Sequence, residues 1–164
     1  MDFVALAQTC APAVHPTTLA AIVHVESGFN PYAIGVVGAH LLRQPHNLDE
    51  AVATARALEA RGMNFSIGAA QVNRYQLQRR GLSYEQGFDA CTSLATGARI
   101  LQECFGRASS SQRTEQQALQ AAISCYYSGN FSRGFASDGA GQGSYVQRVL
   151  DSAARRPKAG VTAQ

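Results

Sequence analysis

The chain has no tryptophan, only two methionines, and charged side chains at 15% of its positions. Without tryptophan, any flat aromatic surface offered to a ligand has to come from tyrosine. No apolar run approaches the roughly 20 residues that a spanning helix needs, so the chain is not expected to cross a membrane. The formal charge of +3 comes without a dense stripe of lysine and arginine. That balance suits an anionic polymer and gives little ground for a nucleic-acid partner. No two cysteines form a CxxC pair and no histidine lies at ligand spacing from any of them, so neither a metal site nor a cofactor is expected. His15, His24, His40 and His46 are dispersed, with no serine or cysteine nucleophile pattern around them, and read as structural or exposed. Residues 1–14 hold no basic start and no long apolar segment, so no intact export signal is read in this chain.

What is present describes a globular protein. A length of 164 residues at 46% hydrophobic content is enough for one domain with a real core. The four cysteines, Cys10, Cys91, Cys104 and Cys125, are even in number and lack metal spacing. Two disulfides in an oxidising compartment fit that count; four buried free thiols in a reducing one are the alternative.

The pattern is mostly helical. A short helix is expected over 3–12, with Phe3, Leu6, Ala7 and Cys10 on one face, and a second begins at Pro16. Residues 31–46 carry Pro31, Gly35, Gly38 and Pro45 around a short apolar run and read as a loop with a small hairpin. Asn47 caps a helix over 48–61, with Glu50 as its capping-box partner and Gly62 as its stop. Residues 66–73 open another short helix that ends near Arg80 and Gly81. Asp89 caps the clearest helix, 90–105, on which Cys91, Leu94, Ala98, Leu101 and Cys104 share a face and which Gly106 stops. A polar linker, a helix over 115–127, a glycine-rich stretch over 134–143 and a last helix over 144–154 follow. Residues 1–154 read as one domain and 155–164 as a polar basic tail. Thirteen positions on a helix separate Cys91 from Cys104 by roughly 20 Å. That is far beyond bonding distance, and two of the three connectivities stay open.

One position breaks its pattern. Leu19, Ile22 and Val23 recur at helical spacing, and the next position on that face is Glu26, just before Gly28, Phe29, Asn30 and Pro31 end the helix. A half-buried glutamate at a helix end is one way to keep a carboxylic acid protonated near neutral pH. The other reading is a buried glutamate held by a structural arginine, and spacing alone leaves both open.

Two further segments join a helix end to a polar, glycine-containing turn: Ser66-Ile67-Gly68-Ala69-Ala70-Gln71-Val72-Asn73 and Ala122-Ile123-Ser124-Cys125-Tyr126-Tyr127-Ser128-Gly129-Asn130. Together, and in this order, the three resemble the lysozyme-like lytic transglycosylases of the soluble type. That family carries a Glu-Ser helix end before Asn-Pro, a Gly-Leu-Met-Gln-x-Asn turn, and an Ala-Tyr-Asn-Ala-Gly helix end. The likeness is greatest to the small members that serve type IV secretion and conjugation machinery. It implies a mainly α, lysozyme-like (goose-type) single domain acting on peptidoglycan glycan strands in the periplasm, with secretion-system components as partners.

The resemblance makes Glu26 the catalytic acid. It sets Ser27 beside Glu26, makes Gly68, Gln71 and Asn73 a glycan-binding turn, and places the hydroxyl of Tyr126 near the catalytic glutamate. Tyr145, in the last helix, is a candidate for stacking on a sugar. Ala69 and Ala70 replace the family's Leu-Met, and Tyr127 stands where the family has asparagine. Relatives of this shape pair an early cysteine with the one in the Phe88-Asp89-Ala90-Cys91 stretch, which implies Cys10–Cys91 and Cys104–Cys125. A simple antiparallel packing of the two helices would instead bring Cys125 nearer Cys91.

The other acidic residues lie outside all three segments, which suits a single carboxylate acting first as acid and then as base. A lysozyme-type hydrolase would need a second carboxylate or a positioned water. A non-catalytic glycan-binding module would gain nothing from desolvating Glu26.

Overall fold

In the computed structural model, residues 2–137, 141 and 143–156 are described. They fall into two compact units, each built from two separated stretches of chain: residues up to 11 with 26–97, and 12–25 with those from 98 onward. Among the described residues, no helix is long and apolar enough to cross a membrane.

The first unit opens with α1 (Phe3–Cys10), capped by the Asp2 side chain on the N–H of Val4. Helix α2 (Pro16–Ser27) gives this unit its last two residues, Glu26 and Ser27. A three-stranded antiparallel sheet of β1 (Ile34–Val36), β2 (Phe65–Ile67) and β3 (Val72–Asn73) is interrupted in sequence by α3 (Leu48–Ala60). Ile34 lies opposite Ile67, Val36 opposite Phe65, and Ile67 opposite Val72. Ile34, Phe65, Ile67 and Val72 are all buried, so burial of these side chains sets the register.

The hairpin expected within 31–46 therefore forms elsewhere. Strand β1 takes its partner from the 65–67 segment, and the tight connection is the one from β2 to β3 over 68–71. On its free edge β1 pairs with a side chain: Gln44 Oε1 accepts from the Ile34 N–H at 2.8 Å and Gln44 Nε2 donates to the Ile34 carbonyl at 3.0 Å. That amide occupies edge positions that would otherwise invite another strand.

Helix α3 is capped by Asn47 as expected, but Glu50 reaches one residue further back, accepting from the His46 N–H at 2.8 Å. That bond holds the Glu50 carboxyl below its usual range, against a smaller opposing effect of burial. Its far end closes in a Schellman motif, with Met63 N–H on the Leu58 carbonyl and Gly62 N–H on that of Glu59. The helix expected to open at 66 begins only at α4 (Arg74–Arg79), because residues 65–67 and 72–73 are claimed by the sheet. A five-residue helix, α5 (Tyr84–Phe88), follows behind a Ser83–Gln86 capping box. Helix α6 (Ala90–Ala108) then starts at its Asp89 cap and passes into the second unit after Gly97.

The second unit contains residues 16–25 of α2, the rest of α6, α7 (Glu115–Ser128), a 3₁₀ turn (Arg133–Phe135) and α8 (Tyr145–Ala154). Gly106 does not stop α6, which runs two residues further. Ala108 packs with Ala118 and Ala121 of α7, and Phe105 and Phe131 cover them. The carbonyl of Ala108 at the helix end accepts from Arg113 Nη1 at 2.8 Å, a cation placed where the helix dipole favours one. The same guanidinium lies over the Phe131 ring, 5.0 Å from its centroid. Helix α7 starts at a Thr114–Gln117 capping box and ends at Gly129 in the left-handed conformation. Helices α7, α8 and the 3₁₀ turn pack on one another around buried Ile123, Val146 and Val149.

Both disulfides are those implied by the resemblance. Cys10–Cys91 lies in the first unit and Cys104–Cys125 in the second, with Cα separations of 5.3 and 5.8 Å. The expected tail lies outside the described residues from 157 on, as do residues 138–140 and 142 of the glycine-rich stretch.

Candidate active site

Glu26 is the penultimate residue of α2, and it is half-buried, as the aliphatic face predicts. Two left-handed residues follow Ser27: Gly28 at φ 60° and Phe29 at φ 65°. Glycine adopts that conformation freely; phenylalanine does so at a cost of order 1 kcal/mol, which the surroundings must offset. Phe29 is anchored by an edge-to-face contact with Phe3 of α1, ring centroids 5.2 Å apart. The turn closes with the Asn30 N–H on the Ser27 carbonyl and Asn30 Oδ1 on the Tyr32 N–H.

The second segment is laced to this helix end. Ser27 Oγ donates to the Ala69 carbonyl at 2.7 Å. The Ala33 carbonyl accepts from the Gly68 N–H at 2.9 Å and from Gln71 Nε2 at 3.0 Å. Gln71 Nε2 also bonds the Gly68 carbonyl within the turn. Ser27 is thus a tie between two segments, a role that neither a helix cap nor a bare helix-end serine describes. Asn73 caps α4 through Oδ1 on the Tyr75 N–H and donates from Nδ2 to Asn64 Oδ1. The amides of Gln71 and Asn73 therefore hold backbone and loop.

Gly68 is set by close approach. At φ 80°, a β-carbon there would lie 2.5 Å from the Gly87 carbonyl oxygen and 3.0 Å from Ser93 Oγ. Ser93, which the sequence reading passed over, is buried at 1% exposure, and its Oγ accepts from the Ala70 N–H. Ala69 and Ala70 are buried as well, so larger side chains would not fit this turn without displacing its neighbours. Phe29 and Gln71 are the non-glycine residues with positive φ among the described residues, and both fall in these two segments.

Tyr126 and Tyr145 belong to the second unit. Tyr126 is half-buried near the end of α7. That end is fixed by Ser124, fully buried, whose Oγ donates to the Asn130 carbonyl and accepts from the Gly134 N–H, both at 2.7 Å. Asn130 Oδ1 in turn accepts from the N–H groups of Ser132 and Arg133. Ser124 gave no signal in sequence, where it is one small polar residue among several.

Tyr145 is only 2% exposed, and its ring is stacked on that of Tyr127, centroids 4.4 Å apart and planes 13° from parallel. It offers no open face to a sugar, so the expected stacking residue is corrected on burial. The exposed member of the pair is Tyr127, at 44%. His24 bonds Ser152 through Nδ1 at 3.0 Å and His15 accepts from the Thr17 N–H at the start of α2, structural uses in each case. Among the described residues no group of histidines, cysteines and carboxylates is arranged to hold a metal ion.

Most other carboxylates have structural partners. Asp2 and Asp89 cap helices, Glu85 pairs with Arg56 at 2.9 Å, and Glu50 with Arg43 at 3.4 Å. Glu59 accepts from Tyr84, whose hydroxyl is pushed above its usual range by burial first and by this carboxylate second. Asp151 accepts from Gln147.

A family model described as the transglycosylase SLT domain matches residues 3–145. Type IV secretion system protein virB1 of Brucella abortus is 58% identical over 154 residues, covering 93% of this chain and 64% of that protein. Protein virB1 of Rhizobium radiobacter is 37% identical over 150 residues, covering 90% and 59%. Protein virB1 of Agrobacterium fabrum is 35% identical over 150 residues, covering 90% and 58%. The chain spans less than two thirds of the length of each of these relatives. No solved structure matches it.

Proposed function

The chain belongs to the transglycosylase SLT domain family, and on that premise we propose that it is a peptidoglycan lytic transglycosylase with Glu26 as its single acid and base. It cleaves the β-1,4 bond between N-acetylmuramic acid and N-acetylglucosamine. The neutral Glu26 carboxyl protonates the glycosidic oxygen as the bond from C1 breaks, and the substrate's own N-acetyl oxygen assists at C1. The resulting carboxylate then takes the proton from the C6 hydroxyl, whose oxygen closes on C1 as the N-acetyl oxygen leaves. The product is a 1,6-anhydro ring, formed without water, and Glu26 returns to its acid form.

The observation that carries this reading is the placement of Glu26. A carboxylate on the inward face of α2 is half-buried at a helix end whose following turn is strained and tied by Ser27 to the 68–71 turn. The structural partners of the other carboxylates named above support a single-carboxylate route over the two-carboxylate hydrolases. Ser27, Gly68, Gln71 and Asn73 serve it by shaping the glycan-binding turn. Residues 1–154 form the catalytic domain. The names of the relatives extend the reading to its setting: local opening of the cell wall in the periplasm, during assembly of a type IV secretion or conjugation apparatus. Two disulfides support an oxidising compartment.

The test is mass spectrometry of the muropeptides released from purified peptidoglycan. Anhydro ends are expected from the native protein, and none from Glu26→Gln at an unchanged melting temperature. Reducing ends would make it a hydrolase, and no release by the folded native protein would make it a binding module. The setting is tested by complementing a secretion-deficient strain that lacks its own virB1, which the native chain should restore and Glu26→Gln should not.

A further inference from the structure

The Tyr127–Tyr145 pair is built unlike two other exposed aromatics, Phe29 and Tyr75. Phe29 meets a partner edge-on, and the ring of Tyr75 is covered by Arg74, whose guanidinium carbon lies 4.6 Å from its centroid. Tyr127 lies flat against a tyrosine that is only 2% exposed, while 44% of its own surface stays in water. Tyr145 is in turn fixed as the first residue of α8, behind the Ser144 cap on the Gln147 N–H. The helix end that carries Tyr127 is held by the Ser124 hydroxyl and by Ser128 Oγ on the Ser124 carbonyl at 2.8 Å. A ring so backed has little rotational freedom left to lose when something covers its outer face.

We propose that Tyr127, held flat by Tyr145, is the surface on which a pyranose ring of the glycan stacks. A pyranose presents a face of C–H groups with its hydroxyls at the edge, so an exposed flat aromatic ring buries that face while the hydroxyls stay in water. In a chain without tryptophan, a tyrosine backed by a second, buried tyrosine supplies a flat and rigid face. The identity of the substrate rests on the reading above; the position does not, because the family motif has asparagine where Tyr127 stands.

The experiment measures binding apart from turnover. In the Glu26→Gln background, the dissociation constant for peptide-free, N-acetylated glycan strands is determined by calorimetry, with melting temperature recorded for every variant. Tyr127→Ala and Tyr127→Asn should raise it about three- to tenfold, and Tyr127→Phe should leave it within about twofold, since the ring and not the hydroxyl makes the contact. In the active protein Tyr127→Ala should raise KM and spare kcat. A lowered melting temperature with unchanged affinity would show that Tyr127 only shields Tyr145, and would overturn the proposal. So would failure of the Tyr127-intact protein to bind these strands. An affinity loss on Tyr127→Ala in a protein that releases no anhydro ends would overturn the reaction and leave the stacking surface standing.

Discussion

At the scale of single residues, the site depends on places where a side chain is forbidden as much as on places where one acts. Gly68 is the sharpest case: its left-handed backbone and its 2.5 Å clearance to the Gly87 carbonyl each exclude a β-carbon. Gly68→Ala should destabilise the protein by about 2–4 kcal/mol, combining backbone strain with overpacking against rigid main chain. A denaturant midpoint within error of the native protein would refute this. Glu26 was legible because one polar residue interrupted an aliphatic face. Ser93 and Ser124 were not, although both are fully buried and hold the turns in shape. A buried serine satisfied by backbone groups looks, in sequence, like any surface serine. Tyr145 was misjudged for a related reason: the first residue of a helix gives no periodicity from which to read its direction.

At the scale of elements, the helices were legible and the sheet was not. Caps at Asn47 and Asp89 and the stop at Gly129 follow from local chemistry. The sheet pairs Ile34 with Ile67 across an intervening helix, using strands of three and two residues, too short for an alternation to be recognised. The alanines at 69 and 70 further disguise the turn between β2 and β3 as helix. Gly106 shows packing overriding propensity. A mid-helix glycine costs about 1 kcal/mol, yet α6 continues because Phe105 and Ala108 on either side of it pack against α7. Nothing lies within 4 Å of where its β-carbon would be. Gly106→Ala is therefore expected to stabilise the protein by about 0.5–1 kcal/mol, the opposite sign to the change at Gly68. A melting temperature that falls would show that the exposed face of α6 needs the glycine for some other purpose.

At the scale of the whole molecule, each compact unit holds one covalent bridge. The separations of 81 and 21 residues correspond by loop-entropy arithmetic to about 4.5 and about 3.3 kcal/mol. Geometry on one helix excluded Cys91–Cys104; the choice between the remaining pairings came from the family likeness. The pairing has a consequence for biogenesis. The cysteines are joined in order of appearance, first to second and third to fourth. A chain delivered N-terminus first across a membrane presents Cys10 alone until Cys91 arrives, with Cys104 and Cys125 following. An oxidase that links each new thiol to the one already waiting thus writes the native pattern directly, and no reshuffling enzyme is called for. Cells that keep their thiol oxidase but lack a disulfide isomerase should export native protein in undiminished yield, and a marked fall in that yield would show that the bridges do not form in sequence.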